Sequence, residues 1–263
     1  MRIRSVSSPT TATGLDCDAL RALAREVTPA FTYLIPTFQN PSGLCYSRTA
    51  REEVARTLDE LNIPLIEDEP YRELCYDEVD RTPVCALVER TSWVYMGTFS
   101  KTFCPGLRIG WLACSPDIMP QFVKVKQSAD LHSSAFDQAI IDRYMDEFSL
   151  DEHVKEINAL YGHRRDLIIQ CMEKEFTDGT TWTHPEGGLF LWLGEFDTLQ
   201  EAVYHSGVNF ATLGYGDIVM SPQWKMLGPL EAVNGALMIG LSGASMLAVL
   251  QHHIRKQLND GAP

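Results

Sequence analysis

The 263-residue sequence has no CxxC pair, no internal repeat and no low-complexity tract. Positive charge is also scarce: 22 Lys and Arg face 35 Asp and Glu, a net charge of −13. That balance argues against a nucleic-acid surface or an anionic membrane as partner. The seven cysteines (Cys17, Cys45, Cys75, Cys85, Cys104, Cys114 and Cys171) are odd in number, share no metal-ligand spacing and lie partly in apolar runs. They predict reduced, mostly buried thiols rather than a disulfide framework or a zinc site. No stretch approaches the ~18 apolar residues of a membrane span. The N-terminal MRIRSVSSPT has no apolar core of the signal-peptide kind. The expectation is a cytoplasmic chain with no nucleic-acid and no membrane partner.

Short apolar runs alternate with amphipathic stretches, the rhythm of α/β units around a mostly parallel sheet. Phe31–Ile35, Ile63–Ile66, Trp93–Met96 and Gly110–Cys114 read as strands. Thr49 to Glu52 offers a capping box for a helix with Val54, Leu58 and Leu61 on one face. Glu67-Asp68-Glu69 is read as the stop of the second strand. A long helix is predicted from about Leu150 to Phe176, then a strand Gly188–Leu193, a helix Thr198–Ser206, a strand Leu237–Leu241 and a final helix bearing Leu247, Leu250, Ile254 and Leu258. Gly214–Gly235 resists assignment. The predicted division is 1–150 and 151–263, a large domain followed by a linking helix and a small C-terminal α/β domain.

The segment from Gly97 to Gly110 carries the chemistry. A strand runs into Thr98, Ser100, Lys101, a Pro105-Gly106 turn and Arg108. Hydroxyls and a planar guanidinium can surround a phosphate, and a lysine among them can condense with an aldehyde. Each residue alone is explained as readily by a solvated surface lysine or a turn-capping hydroxyl; the combination is uncommon. Upstream, Pro36 to Gly43 (PTFQNPSG) links a strand to a helix, and Glu67 to Tyr71 (EDEPY) follows a buried strand. By themselves these are a loop of common turn dipeptides and a carboxylate capping or facing solvent.

Together the segments resemble the fold-type-I pyridoxal-phosphate (PLP) aminotransferases, closest to the 2-aminoadipate and aromatic aminotransferase branch and the aminotransferase-like domains of bacterial regulators. The resemblance implies a PLP-dependent transferase type I large-domain portion plus a small domain. It implies Lys101 as the Schiff-base lysine, with Thr98, Ser100 and Arg108 on the phosphate. Asn40 and Tyr71 fall on the residues that hydrogen-bond the phenolic oxygen, and Asp68 on the partner of the pyridine nitrogen. A carboxylate there favours the protonated, electron-withdrawing ring, and a released lysine can shuttle a proton. Lys101, Asp68 and Tyr71 are thus the expected catalytic residues. The implied reaction is amino transfer between an amino donor and a 2-oxo acid. Asp130 to Ser134 with Gln138 resembles a segment near the family's dimer contact, and otherwise reads as a helix cap; His132 within it is a minor acid–base candidate. Pro185 to Trp192 resembles the opening of the small domain.

The match also departs from the pattern. The family's long N-terminal part, with its glycine-containing phosphate loop and ring-stacking aromatic, has no counterpart before Met1. The large domain is therefore expected to lack several strands, with exposed apolar surface and an unpaired sheet edge, so that either the chain is a fragment of a longer enzyme or a partner chain completes it. The resemblance itself implies a homodimer. Met238 occupies the place of the arginine that holds the substrate carboxylate, a contact worth ~2–5 kcal/mol. A different substrate, another cation such as Lys225, or a non-catalytic PLP-binding or regulatory module each accommodates that change.

Overall fold

The computed structural model describes residues 6–175 and 181–192. By contacts the chain divides into one unit of Met1–Thr102 with Ile109–Gly194 and another of Phe103–Arg108 with Glu195–Pro263.

In the first unit, a short antiparallel pair, β1 (Thr10–Thr11) and β2 (Gly14–Leu15), leads into α1 (Cys17–Glu26). Asp16 starts that helix, accepting the Ala19 N–H at 2.9 Å. β3 (Thr32–Leu34), α2 (Arg48–Leu61), β4 (Leu65–Asp68), β5 (Trp93–Thr98) and β6 (Gly110–Cys114) follow. The sheet order is β3-β4-β5-β6, with the first three strands parallel and β6 antiparallel to β5. α3 (Met119–Ala129), α4 (Ala135–Glu147) and α5 (Leu150–Glu175) complete it. Ser134 caps α4 by accepting the Asp137 N–H.

The core lies between the sheet and the first two helices. Leu15, Leu20, Leu34, Tyr46, Val54, Leu58, Leu65 and Val84 form it. Strand alternation sends Leu65, Glu67 and Glu69 into that core and leaves Ile66 and Asp68 facing the other way. The other side of the unit is less covered: Trp111 and Leu112 on the edge strand β6 are exposed, as are Val123, Phe136, Leu167 and Ile168 on the later helices.

Several expectations are corrected. The α2 cap is Ser47, not Thr49, since Ser47 Oγ accepts the Ala50 N–H at 3.2 Å. The earlier start puts Arg51 on the buried face, where its Nε reaches the Tyr46 carbonyl at 2.9 Å. The second strand begins at Leu65 and runs through Glu67 and Asp68. Those acids do not stop it, because the Glu67 carboxylate accepts the Val84 and Cys85 N–H groups at 2.9 and 2.7 Å. Residues 188–192 form no strand. Gly187 makes an isolated bridge to Cys75, and Gly188 has φ +77°, outside the extended region. All seven cysteines are free, yet only Cys17 is fully buried. Cys171 is exposed because α5 covers little besides Met172. The helix expected at 198–206, the strand at 237–241, the final helix, Lys225 and Met238 lie outside the described residues.

Candidate active site

Parallel pairing brings the carboxyl ends of β3, β4 and β5 side by side, the usual place for a ligand in an open α/β sheet. The register sets Leu34 against Glu67 and Asp68 against Met96. The segments after these ends carry Asn40, Tyr71 and Lys101, and Asp68 is the last residue of β4.

Two of the predicted side chains, Asn40 and Lys101, converge on a third, Tyr71. Its ring is buried and packs edge-on against Phe190 with centroids 5.2 Å apart. Asn40 is hydrogen-bonded to it. Lys101 Nζ lies 5.8 Å from the ring centroid, within cation–π range. Burial pushes the Tyr71 hydroxyl up to about 12; the Asn40 hydrogen bond opposes this and the Asp68 charge adds to it. The hydroxyl therefore remains a donor at any physiological pH.

Thr98 turns its hydroxyl to the loop itself. It donates to the Ile109 carbonyl at 3.3 Å and accepts the Ser100 N–H at 3.1 Å. Arg108 belongs to the other contact unit. It closes a single 3-10 turn (Pro105–Leu107) in the left-handed conformation, φ 55°, and donates to the Pro105 carbonyl at 3.2 Å. His132 sits next to the α4 cap, its Nδ1 3.0 Å from the Ser133 carbonyl.

Two features escaped the sequence reading. The Tyr33 hydroxyl on β3 donates to Asp68 Oδ2 at 2.6 Å. A buried polar network also lies behind the site. Arg51, fully buried, donates to the Pro36, Tyr46 and Thr82 carbonyls and to Thr37 Oγ1, all within 2.9–3.1 Å. The Thr37 hydroxyl donates to Glu69 Oε1 at 2.7 Å, while Glu69 Oε2 is buried with no hydrogen-bond partner. Burial pushes the Glu69 carboxyl up to about 8, against the pull of the Thr37 hydrogen bond; Glu67 adds to the rise and Arg51 opposes it. This network ties the loop bearing Asn40 to the turn bearing Tyr71. Period-2 alternation in Thr32-Tyr33-Leu34 and Glu67-Asp68-Glu69 was the available signal for both features.

An amine, a carboxylate and two neutral donors, the Asn40 amide and the Tyr71 hydroxyl, at the strand ends suit a cofactor with an aldehyde, a basic ring nitrogen and a phenolic oxygen. The family model for aminotransferase class I and II matches residues 2–209. The chain belongs to that family. Class I and II aminotransferases use PLP. The aromatic-amino-acid aminotransferase 1 of Thermococcus litoralis is 39% identical over 160 residues, covering 61% of this chain and 38% of that protein. The 2-aminoadipate transaminase of Thermus thermophilus is 30% identical over 193 residues, 72% of this chain and 48% of that protein. Among solved structures, the kynurenine aminotransferase of Pyrococcus horikoshii in complex with PMP is 31% identical with a TM-score of 0.69, covering 78% of this chain and 52% of that one. The chain thus spans about half the length of these aminotransferases, or less. A second family model, of an ion channel, matches residues 183–252 and overlaps the first over 183–209.

Proposed function

We propose that this chain binds PLP and forms the lysine-bearing part of a transaminase acting between an amino donor and a 2-oxo acid. The observation that carries the reading is the meeting of Asn40, Tyr71 and Lys101 around one buried ring, next to the strand end at Asp68. When bound, PLP supplies an electron sink for a substrate carbanion. Lys101 would hold the aldehyde end of the cofactor and, once freed, move a proton. Asp68 would pair with the ring nitrogen, and Asn40 and Tyr71 would donate to the phenolic oxygen. Thr98, Ser100 and Arg108 hold the phosphate, for which Thr98 must exchange its bond to the Ile109 carbonyl. Residues 1–150 serve as the partial large domain and 151–263 as linking helix and small domain, in a cytoplasmic protein. The exposed Trp111 and Leu112 support a homodimer or a completing partner chain.

The test is reconstitution of the full chain with PLP. Wild type gains a visible absorbance band, and Lys101→Ala does not. Identical spectra for the two would sink the assignment. A single-turnover assay with several amino donors then separates a transaminase from an inert PLP-binding module.

The ion-channel match over residues 183–252 favours a second reading for the C-terminal part of the chain. Thr212-Leu213-Gly214-Tyr215-Gly216 parallels the TVGYG loop whose backbone carbonyls coordinate potassium in channels. Residues 232–250 carry no charged side chain, and ~20 predominantly apolar residues suffice to span a bilayer as a helix. On this reading a pore-type segment follows the aminotransferase portion, and the place of Met238 is unrelated to substrate binding. It would also replace the expectation of no membrane partner. Among the described residues no helix is long and apolar enough to cross a membrane. Retention of the full chain in carbonate-washed membranes supports the reading; recovery in the soluble fraction overturns it.

A further inference from the structure

We propose that Tyr33 is a positioning residue for the cofactor's ring nitrogen, acting through Asp68. The inference rests on the PLP-binding reading above and assigns a new member to the same site.

The geometry follows from the sheet. Tyr33 pairs with Ile66 in the parallel β3·β4 register, so Asp68, two residues further along β4, shares its face. A tyrosine is long enough to reach a diagonal neighbour at that spacing. Its hydroxyl donates to Asp68 Oδ2 at 2.6 Å, the short distance expected of a hydrogen bond to a charged acceptor. Burial first, then the hydrogen bond and charge of Asp68, hold the Tyr33 hydroxyl protonated well above its ordinary range. It acts as a fixed donor rather than as an acid or base.

That bond fixes the rotation of the Asp68 carboxylate, so the acid meets a ring nitrogen already oriented. The effect reaches the cofactor without Tyr33 touching it. The hydroxyl is a refinement rather than a packing element, because the Tyr33 residue is about half exposed, at 49%, and phenylalanine fills the same space.

The test uses the full chain loaded with PLP. Tyr33→Phe should bind PLP roughly 3- to 10-fold more weakly, the effect of losing one hydrogen bond. It should also move the pH midpoint of the visible band by roughly half a unit or more. In an Asp68→Asn background, Tyr33→Phe should have no further effect on the midpoint, as a residue acting only through Asp68 requires. A thermal melt within about 2 °C of wild type confirms that the variant folds. A merely structural role would move the melt and leave the midpoint alone. If wild type and Tyr33→Phe share both affinity and midpoint, the inference is overturned while PLP binding stands. If wild type gains no visible band at all, both fall together.

Discussion

Gly187 lies against Phe38 so closely that a methyl group on its α-carbon would fall 2.3 Å from the ring and 2.3 Å from the Leu74 carbonyl oxygen. Gly188, with φ +77°, lies against the same phenylalanine, and its carbonyl accepts the Tyr76 hydroxyl. The 185–192 segment is thereby latched onto the loop that carries Asn40. Phe38 is fully buried and itself in the left-handed conformation, φ 52°, so the loop cannot move aside at low cost.

Gly187→Ala is therefore expected to destabilise the protein by ~1–3 kcal/mol or more through overpacking. Chemical denaturation checks this directly. Asn40 is two residues from Phe38, so PLP affinity should fall as well.

Arg51→Met should cost ~3–5 kcal/mol, because it strips the donor from the Pro36, Tyr46 and Thr82 carbonyls and from Thr37 Oγ1. The drop is read as a lower urea midpoint at unchanged slope. A loss below ~1 kcal/mol would mean the network contributes little.

Glu69 gives a pH signature. Its folded value, about 8, exceeds the ~4.3 of an unfolded glutamate. Between those values the native state holds a proton that the unfolded chain releases, so stability falls as pH rises toward 8 and flattens above. Glu69→Gln removes that slope. The stability of the variant relative to wild type should thus improve from pH 5 to pH 8, measured by denaturant midpoints across that range.

Tyr71→Phe removes one donor to the phenolic oxygen and keeps the ring that packs on Phe190 and faces Lys101. PLP affinity should weaken by roughly 2- to 10-fold with little change in melting temperature. Equilibrium titration of the visible band measures it.

The sequence reading located the strands near Trp93 and Gly110 and the helix from Leu150 because each is a long or well-bounded apolar pattern. It misplaced the start of α2, since Thr49 and Ser47 are equally good caps and only the burial of Arg51 decides between them. It missed the strand character of Glu67 and Asp68 because a buried acid reads as a boundary until its N–H partners are known. Asn40, Tyr71 and Lys101 were legible as motif members, whereas their convergence was not: they are distant in sequence and meet only through parallel strand pairing. Tyr33 carries no motif at all. Its role depends on a diagonal neighbour in another strand.

Lys101 sits on a connection whose two ends are fastened to each other. Thr98 pairs with Gly110, and the Phe99 N–H reaches the Ile109 carbonyl at 3.2 Å. The segment 100–108 is thus an insert between adjacent strands held ~4.8 Å apart. Its two ends cannot drift apart while β5 and β6 stay paired, so the backbone that carries the lysine is tethered from both directions.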